Sequence, residues 1–187
     1  MKKFLVIGNP IQHSLSPDLH NYWIKNNSID AIYEKQKINE DKLGQIISQV
    51  KDKKISGVNV TVPFKKTVIP YLDELSFEAQ STQSVNTIYL KDNKVVGHNT
   101  DIVGFETSIK KSEYNLNNKE VLILGAGGVV PSIIFVLIKM NVSKIKICNR
   151  SAIVTDGDSI KINNNRIRLV GIDAPEINQK CIAKEYG

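Results

Sequence analysis

The sequence predicts an α/β fold: an open twisted sheet with helices on both faces, followed by the start of a second strand–helix–strand unit. Three observations predict it. Short runs with strand character recur at Phe4–Ile7, Ala31–Ile38, Val58–Val62 and Val121–Leu124, each too short for a helix. Between them lie stretches whose apolar residues have helical spacing, such as Leu43, Ile46, Ile47 and Val50. Turn-forming residues close the runs, at Gly8-Asn9-Pro10, at Pro63 and at Gly125-Ala126-Gly127-Gly128.

In chain order, Lys3–Gly8 is the first strand. Ser16 stands before Pro17 as an N-cap stands before the first helical residue. Leu19, Tyr22, Trp23 and Ile24 form the buried side of a helix running to Asn26. Ala31–Ile38 is the second strand and completes a β-α-β unit. Asp41–Val50 is a helix with Leu43, Ile46, Ile47 and Val50 inward. In Gly57–Lys65, Val58, Val60 and Val62 alternate on one face, so Asn59 and Thr61 point to the other. Pro63 ends this strand, having no N–H for a ladder, and Lys65 follows in the turn. Residues 64–72 and 76–83 form short helical segments. Ser84–Leu90 is a strand, Lys91–Lys94 a hairpin turn and Val95–Gly97 the return. Thr100 or Asp101 caps the next helix. Lys119–Leu124 is a buried strand, followed by the glycine turn, an apolar helix from Val129 to Met140 and a strand at Ser143–Cys148.

That last succession is a partial Rossmann-like nucleotide-binding unit. Its glycines permit a tight turn and let backbone amides approach a pyrophosphate at the helix N-terminus. Gly125, Ala126, Gly127, Gly128 and Val129 are the candidate cradle. Val130 occupies the place where a third small residue is usual. At the end of the second strand, an acidic residue would select NAD through its ribose hydroxyl. Asn149-Arg150 stands there instead, which favours the 2′-phosphate of NADP. Arg150 is also the first arginine in a chain that uses lysine throughout its first 149 residues, and its planar fork suits a phosphate.

Composition sets the bounds. The chain has 187 residues, 41% hydrophobic and 24% charged, as expected for one or two globular domains. No apolar run approaches the ~18 residues of a membrane span. The first apolar run is cut short by Gly8-Asn9-Pro10, unlike a signal peptide, so a cytoplasmic location is expected. Cys148 and Cys181 make neither a disulfide framework nor a metal spacing. The net charge of +6 is spread over scattered lysines without interleaved aromatics. It fits attraction of small anions better than nucleic-acid binding.

Several polar residues then have two roles open. Asn59, Thr61 and Lys65 converge at one strand end, where an amide, a hydroxyl and an amine suit a polyhydroxylated substrate and a proton acceptor. Taken singly, each is also an ordinary surface residue. Ser14 and Ser16, near a helix start, can hold a carboxylate with the help of free N–H groups, while Ser16 can simply cap. Asn86 fits a strand edge and Asp101 a helix cap. His13 and His20 read as surface residues, with no metal partner evident.

Together these segments resemble the shikimate dehydrogenase family from the N-terminus to about Arg150. The motifs carrying the likeness are Asn9-Pro10-Ile11-Gln12-His13-Ser14-Leu15-Ser16-Pro17, Asn59-Val60-Thr61-Val62-Pro63-Phe64-Lys65, Val85-Asn86-Thr87, Gly97-His98-Asn99-Thr100-Asp101, Gly125-Ala126-Gly127-Gly128 and Asn149-Arg150. Departures are Ser84 before Val85, Ile102 where glycine usually follows, and Val129-Val130. The resemblance implies reversible NADPH-dependent reduction of 3-dehydroshikimate to shikimate. It implies that Ser14 and Ser16 bind the carboxylate and that Asn59, Thr61, Asn86 and Asp101 hold ring hydroxyls. Lys65, paired with Asp101, would accept the proton as the C3 alcohol becomes a ketone. A carboxylate would raise a lysine pKa, whereas a base at neutral pH needs it lowered, so the aspartate's task would be orientation and proton relay.

Beyond Arg150 the pattern changes. Asp156-Gly157-Asp158 and Arg166-Ile167-Arg168-Leu169-Val170-Gly171-Ile172-Asp173-Ala174-Pro175-Glu176 resemble the opening of a staphylococcal-nuclease-like domain. That likeness implies Asp158, Asp173 and Glu176 as calcium ligands and Arg168 as a phosphate contact. The alternative is a plain hairpin turning at Asn163-Asn164-Asn165. The expected organisation is thus residues 1–101 as a shikimate-binding catalytic domain, 102–150 as a partial NADP-binding domain and 151–187 as a truncated nuclease-like fragment. The rival functions are a catalytically dead shikimate-binding remnant and a phosphodiesterase acting through the tail.

Overall fold

In a computed structural model, residues 1–149 are described in full, together with the backbone of two strands at 159–162 and 165–168. The elements are β1 (Lys2–Gly8), α1 (Ser16–Asn26), β2 (Ala31–Lys37), α2 (Leu43–Lys51), β3 (Gly57–Val60), α3 (Phe64–Thr67), β4 (Glu74–Leu75), α4 (Phe77–Thr82), β5 (Thr87–Lys91), β6 (Lys94–His98), α5 (Asp101–Lys111), β7 (Glu120–Leu124), α6 (Val130–Lys139), β8 (Lys144–Cys148), β9 (Ser159–Ile162) and β10 (Asn165–Arg168).

Six strands form one open sheet in the order β2-β1-β3-β5-β6-β4. β1 runs parallel to β2 and β3, while β5 is antiparallel to both β3 and β6. Alternation along β1 separates two layers. Leu5 and Ile7 join Leu43, Ile46, Ile47 and Val50 of α2, with Val58, Val60 and Ile88, in the larger core. Val6 faces the opposite layer with Ile11 and Tyr33, under Ile24 of α1. Helices therefore cover both faces, as the periodicity predicts. Among the described residues, no helix is long and apolar enough to cross a membrane.

The face that α1 turns to the sheet differs from expectation. Leu19, Tyr22 and Trp23 are exposed, and only Ile24 of the expected stripe packs inward. The inward side carries His20 and Asn21 instead. Asn21 donates to the Tyr33 carbonyl (2.8 Å) and accepts from the Tyr33 N–H (2.9 Å). It thereby satisfies backbone groups on the outer edge of β2, the edge strand. His20 stacks on the Tyr33 ring at 4.2 Å with an interplanar angle of 5°, so it is a packing partner, and burial lowers its pKa.

β3 stops at Val60, three residues before Pro63, because Thr61 already enters a turn in which its carbonyl accepts from Phe64 N–H (2.9 Å). Val62 consequently leaves the valine face and is exposed. Ser16 does not cap α1. The Ser14 hydroxyl accepts from Ser16 N–H (3.3 Å) instead.

β7 and β8 pair in parallel, from Glu120↔Lys144 to Leu124↔Cys148. Val121, Ile123, Ile145 and Ile147 pack on Ile134 and Leu137 of α6. The strand at 120–124 is buried on that face only: Leu122 is 59% and Leu124 79% exposed. No described element covers the far side, which corrects the expectation of a buried strand. β9 and β10 form an antiparallel pair, matching the plain hairpin reading of that stretch.

One close approach joins β1 to the turn after β3. A Cβ added at Gly8 would lie 2.6 Å from Thr61 Cγ2 and 3.1 Å from the Val62 carbonyl oxygen. Gly8→Ala is expected to lower stability by about 1–3 kcal/mol through this overpacking, read as a reduced midpoint in denaturant titration.

Candidate active site

The carboxyl ends of β1, β3, β6, β7 and β8 and the beginning of β5 carry the described residues singled out by sequence. Beyond β3, the Thr61-Val62-Pro63 turn delivers Lys65 into the first turn of α3. The Lys65 carbonyl accepts from Val85 N–H (2.8 Å), which fixes the backbone. Its Nζ donates to Asp101 Oδ2 at 2.7 Å. The two side chains are only 15% and 23% exposed. Asp101 opens α5, yet its carboxylate does not cap that helix. Its second oxygen, Oδ1, accepts from Asn86 Nδ2 (2.8 Å), so the pair is held from both sides.

The network continues through the amides. Asn86 Oδ1 accepts from Thr100 N–H (2.9 Å) and from Thr87 Oγ1 (3.0 Å). Asn59 Nδ2 donates to the Asn86 carbonyl and to Thr87 Oγ1, both at 3.1 Å. Tyr33 O–H donates to Asn59 Oδ1 at 2.7 Å. Lys65, Asp101, Asn86 and Asn59 therefore form one connected unit, and Asn86 is no mere strand-edge amide.

Ser14 lies on the loop after β1 and Ser16 opens α1, and neither is hydrogen-bonded to this unit. That loop is tied to the lysine turn by Asn9 N–H to the Val62 carbonyl and Thr61 N–H to the Ile7 carbonyl, each 3.0 Å. Lys35 Nζ donates to the Gln12 carbonyl (2.7 Å) and the Ser14 carbonyl (3.4 Å), bracing the loop at Ser14 from β2.

The glycine turn closes the other side. Gly125 has φ +104°, a conformation that favours glycine, and its N–H donates to the Cys148 carbonyl (2.7 Å). A Cβ at Gly125 or Gly127 would meet nothing within 4 Å, so the turn has room for a close ligand. A Cβ at Gly128 would lie 4.0 Å from Lys65 Cδ, and Ser84 Oγ donates to the Gly128 carbonyl (3.4 Å). Thus the turn and the Lys65 stem are neighbours. Val129 precedes α6, and Val130 is buried against the strand pair. Asn149 follows β8, while Arg150, Asp158, Asp173 and Glu176 lie outside the described residues, as does the side chain of Arg168.

Sequence reading missed Tyr33, Lys35 and Asn99. Tyr33 had a signal in its place on the edge strand, across the sheet from Asn59. Lys35 had none.

The structure is thus an open mixed α/β sheet with a charged pair at its strand ends and a glycine turn against it. The model of the shikimate dehydrogenase substrate binding domain matches residues 6–88. The NADP(+) shikimate dehydrogenase of Pelagibacter ubique (strain HTCC1062) is 57% identical over 202 residues, covering 98% of this chain and 76% of that protein. The chain belongs to the shikimate dehydrogenase family.

Among solved structures, shikimate dehydrogenase 1 from Peptoclostridium difficile superposes with a TM-score of 0.75 at 32% identity, covering 81% of this chain and 58% of that one. The Thermus thermophilus enzyme, in complex with NADP(H) and shikimate, gives 0.72 at 32% identity, covering 81% and 57%. The chain therefore spans a little over half the length of these solved relatives. The Pelagibacter similarity extends past Arg150, and nothing in these matches supports the nuclease likeness of the tail.

Burial raises the Tyr33 pKa to about 12. The neutral phenol is the form that folding favours, so its contribution is complete below the ordinary value near 10. It is lost as pH rises from there through about 12. In an alkaline titration followed by tyrosinate absorbance, Tyr33 is expected to ionise near pH 12. Tyr33→Phe should remove that step and no other.

Proposed function

We propose that this chain catalyses the reversible NADPH-dependent reduction of 3-dehydroshikimate to shikimate. The observation that carries the reading is the Lys65–Asp101 contact at 2.7 Å, set beside the glycine turn. As an ammonium, Lys65 donates a proton to the carbonyl oxygen during reduction. As an amine, it accepts the C3 hydroxyl proton in the reverse direction. Asp101 holds the lysine in place and, with Asn59, Thr61 and Asn86, meets the ring hydroxyls. The Ser14 and Ser16 hydroxyls receive the substrate carboxylate, on a loop that Lys35 braces.

The open turn at Gly125, Ala126, Gly127, Gly128 and Val129, at the N-terminus of α6, fits a dinucleotide pyrophosphate. Asn149 and Arg150 would contact the 2′-phosphate. NADPH bound there supplies the hydride. The Thermus complex with NADP(H) and shikimate supports the same pairing of ligands. On this reading, residues 1–101 hold the substrate and 102–150 open the cofactor unit. The reaction would take place in the cytoplasm.

Mixing the purified chain with shikimate and NADP is expected to produce NADPH. Lys65→Ala should cut turnover about 10²–10⁴-fold, the usual contribution of a positioned acid–base group. Calorimetry should show shikimate binding in the native chain and none in Asp101→Ala. A native chain that neither binds shikimate nor forms NADPH ends the proposal.

A further inference from the structure

Asn99 lies between β6 and α5, next to the reacting pair but outside it. It is completely buried, as is Ser132, and Ser84 and Thr82 are nearly so. Its Oδ1 accepts from Asp101 N–H at 3.0 Å. Its Nδ2 reaches the Ser84 carbonyl (2.9 Å), Ser132 Oγ (2.9 Å) and Thr82 Oγ1 (3.1 Å). The amide cannot be turned round, because the Ser84 carbonyl only accepts and the Asp101 N–H only donates.

The groups it joins come from separate parts of the fold. Asp101 opens α5, where the backbone N–H has no partner within the helix, and Asn99 supplies the acceptor. Ser132 lies in the first turn of α6, directly after the glycine turn. Ser84 also donates to the Gly128 carbonyl. A buried amide satisfied at both ends fixes everything it touches.

We infer that Asn99 is a positioning residue that orients Asp101 toward Lys65 and keys the pair to the start of α6. The inference rests on reading Lys65 and Asp101 as the reacting pair. Asn99 touches neither substrate nor cofactor. It acts through the backbone of Asp101, and a loosened first turn of α5 would release the carboxylate from Lys65.

Competitive trace acetylation of the full chain, read by mass spectrometry, tests this by comparing Lys65 with exposed Lys66. The pinned Lys65 should lag Lys66 in the native protein. Asn99→Ala should raise the Lys65:Lys66 ratio about fivefold, the scale of one net hydrogen bond. Ser132→Ala keeps the acceptor for Asp101 and should raise it about twofold. Circular dichroism identifies the folded variants. An unmoved ratio in folded Asn99→Ala overturns the inference, since a residue that only stabilises the fold would leave the labelling pattern intact. If Asn99→Ala does not fold, an unmoved ratio in Ser132→Ala overturns it. Shikimate affinity by calorimetry should fall about tenfold in Asn99→Ala. Failure of the native chain to bind shikimate would sink the functional reading, while the labelling ratio would still decide the role of Asn99.

Discussion

Bringing an ammonium and a carboxylate into a half-dry junction is the constraint on which the rest of this structure depends. Lys65 and Asp101 are 36 residues apart in sequence and mostly withdrawn from water. Desolvating two charges offsets much of their attraction unless further hydrogen bonds complete the arrangement. The surrounding amides do this. Asn86 occupies the second carboxylate oxygen, Asn99 takes the aspartate's backbone N–H, and Val85 fixes the lysine's carbonyl. The amide-rich sequence around 86 and 99 is the structural answer to a charge pair that could not otherwise be held.

The sheet supplies the rigidity. β1 and β3 are parallel neighbours, so the loops that leave them emerge side by side at the same end. β5 runs the other way, which brings its beginning, and therefore Asn86, to that end too. β6 returns and delivers Asp101. Four chain segments thus converge because of strand direction alone, and sites at strand ends keep their geometry better than sites on free loops. Gly8 shows how tight the meeting is: there is no room for a methyl group between the serine loop and Thr61.

Much of this was legible in the sequence, and the failures share a physical cause. The alternation Val58, Val60 against Asn59 and the spacing of Leu43, Ile46, Ile47 and Val50 gave the right faces, because those elements pack on an ordinary apolar core. α1 did not follow the rule. Its apolar residues Leu19, Tyr22 and Trp23 point outward, while His20 and Asn21 face the sheet. A helix that must satisfy the backbone of an edge strand needs an amide on its inner side, and apolar periodicity cannot register that need. The strand at 120–124 misled in a different way. Leu122 and Leu124 have the composition of a strand covered on both faces, but only one cover lies among the described residues. Lys65, Asn86 and Asp101, singled out by their types and order in the motifs, do meet in one hydrogen-bonded network. Tyr33 and Asn99 were missed because their task is to hold other residues, and a tyrosine on a strand or an asparagine before a helix has many commoner reasons to be there.

The same distinction explains why the glycine turn sits where it does. On the proposed function, a hydride donor at this turn is useful only at a fixed distance from the proton donor. Here the spacing is set by contacts that involve no ligand: the Lys65 stem against Gly128, Ser84 on the Gly128 carbonyl and Asn99 on Ser132. Each of these places a group from α3 or from the loops before β5 and after β6 beside the glycine turn or the first turn of α6. A swing of α6 about the chain between 112 and 119 would break all three contacts together, while the Asn99 amide would keep the Ser84 carbonyl and Thr82 Oγ1. The start of α6 and the Lys65–Asp101 pair are therefore linked through polar contacts of Asn99 and Ser84.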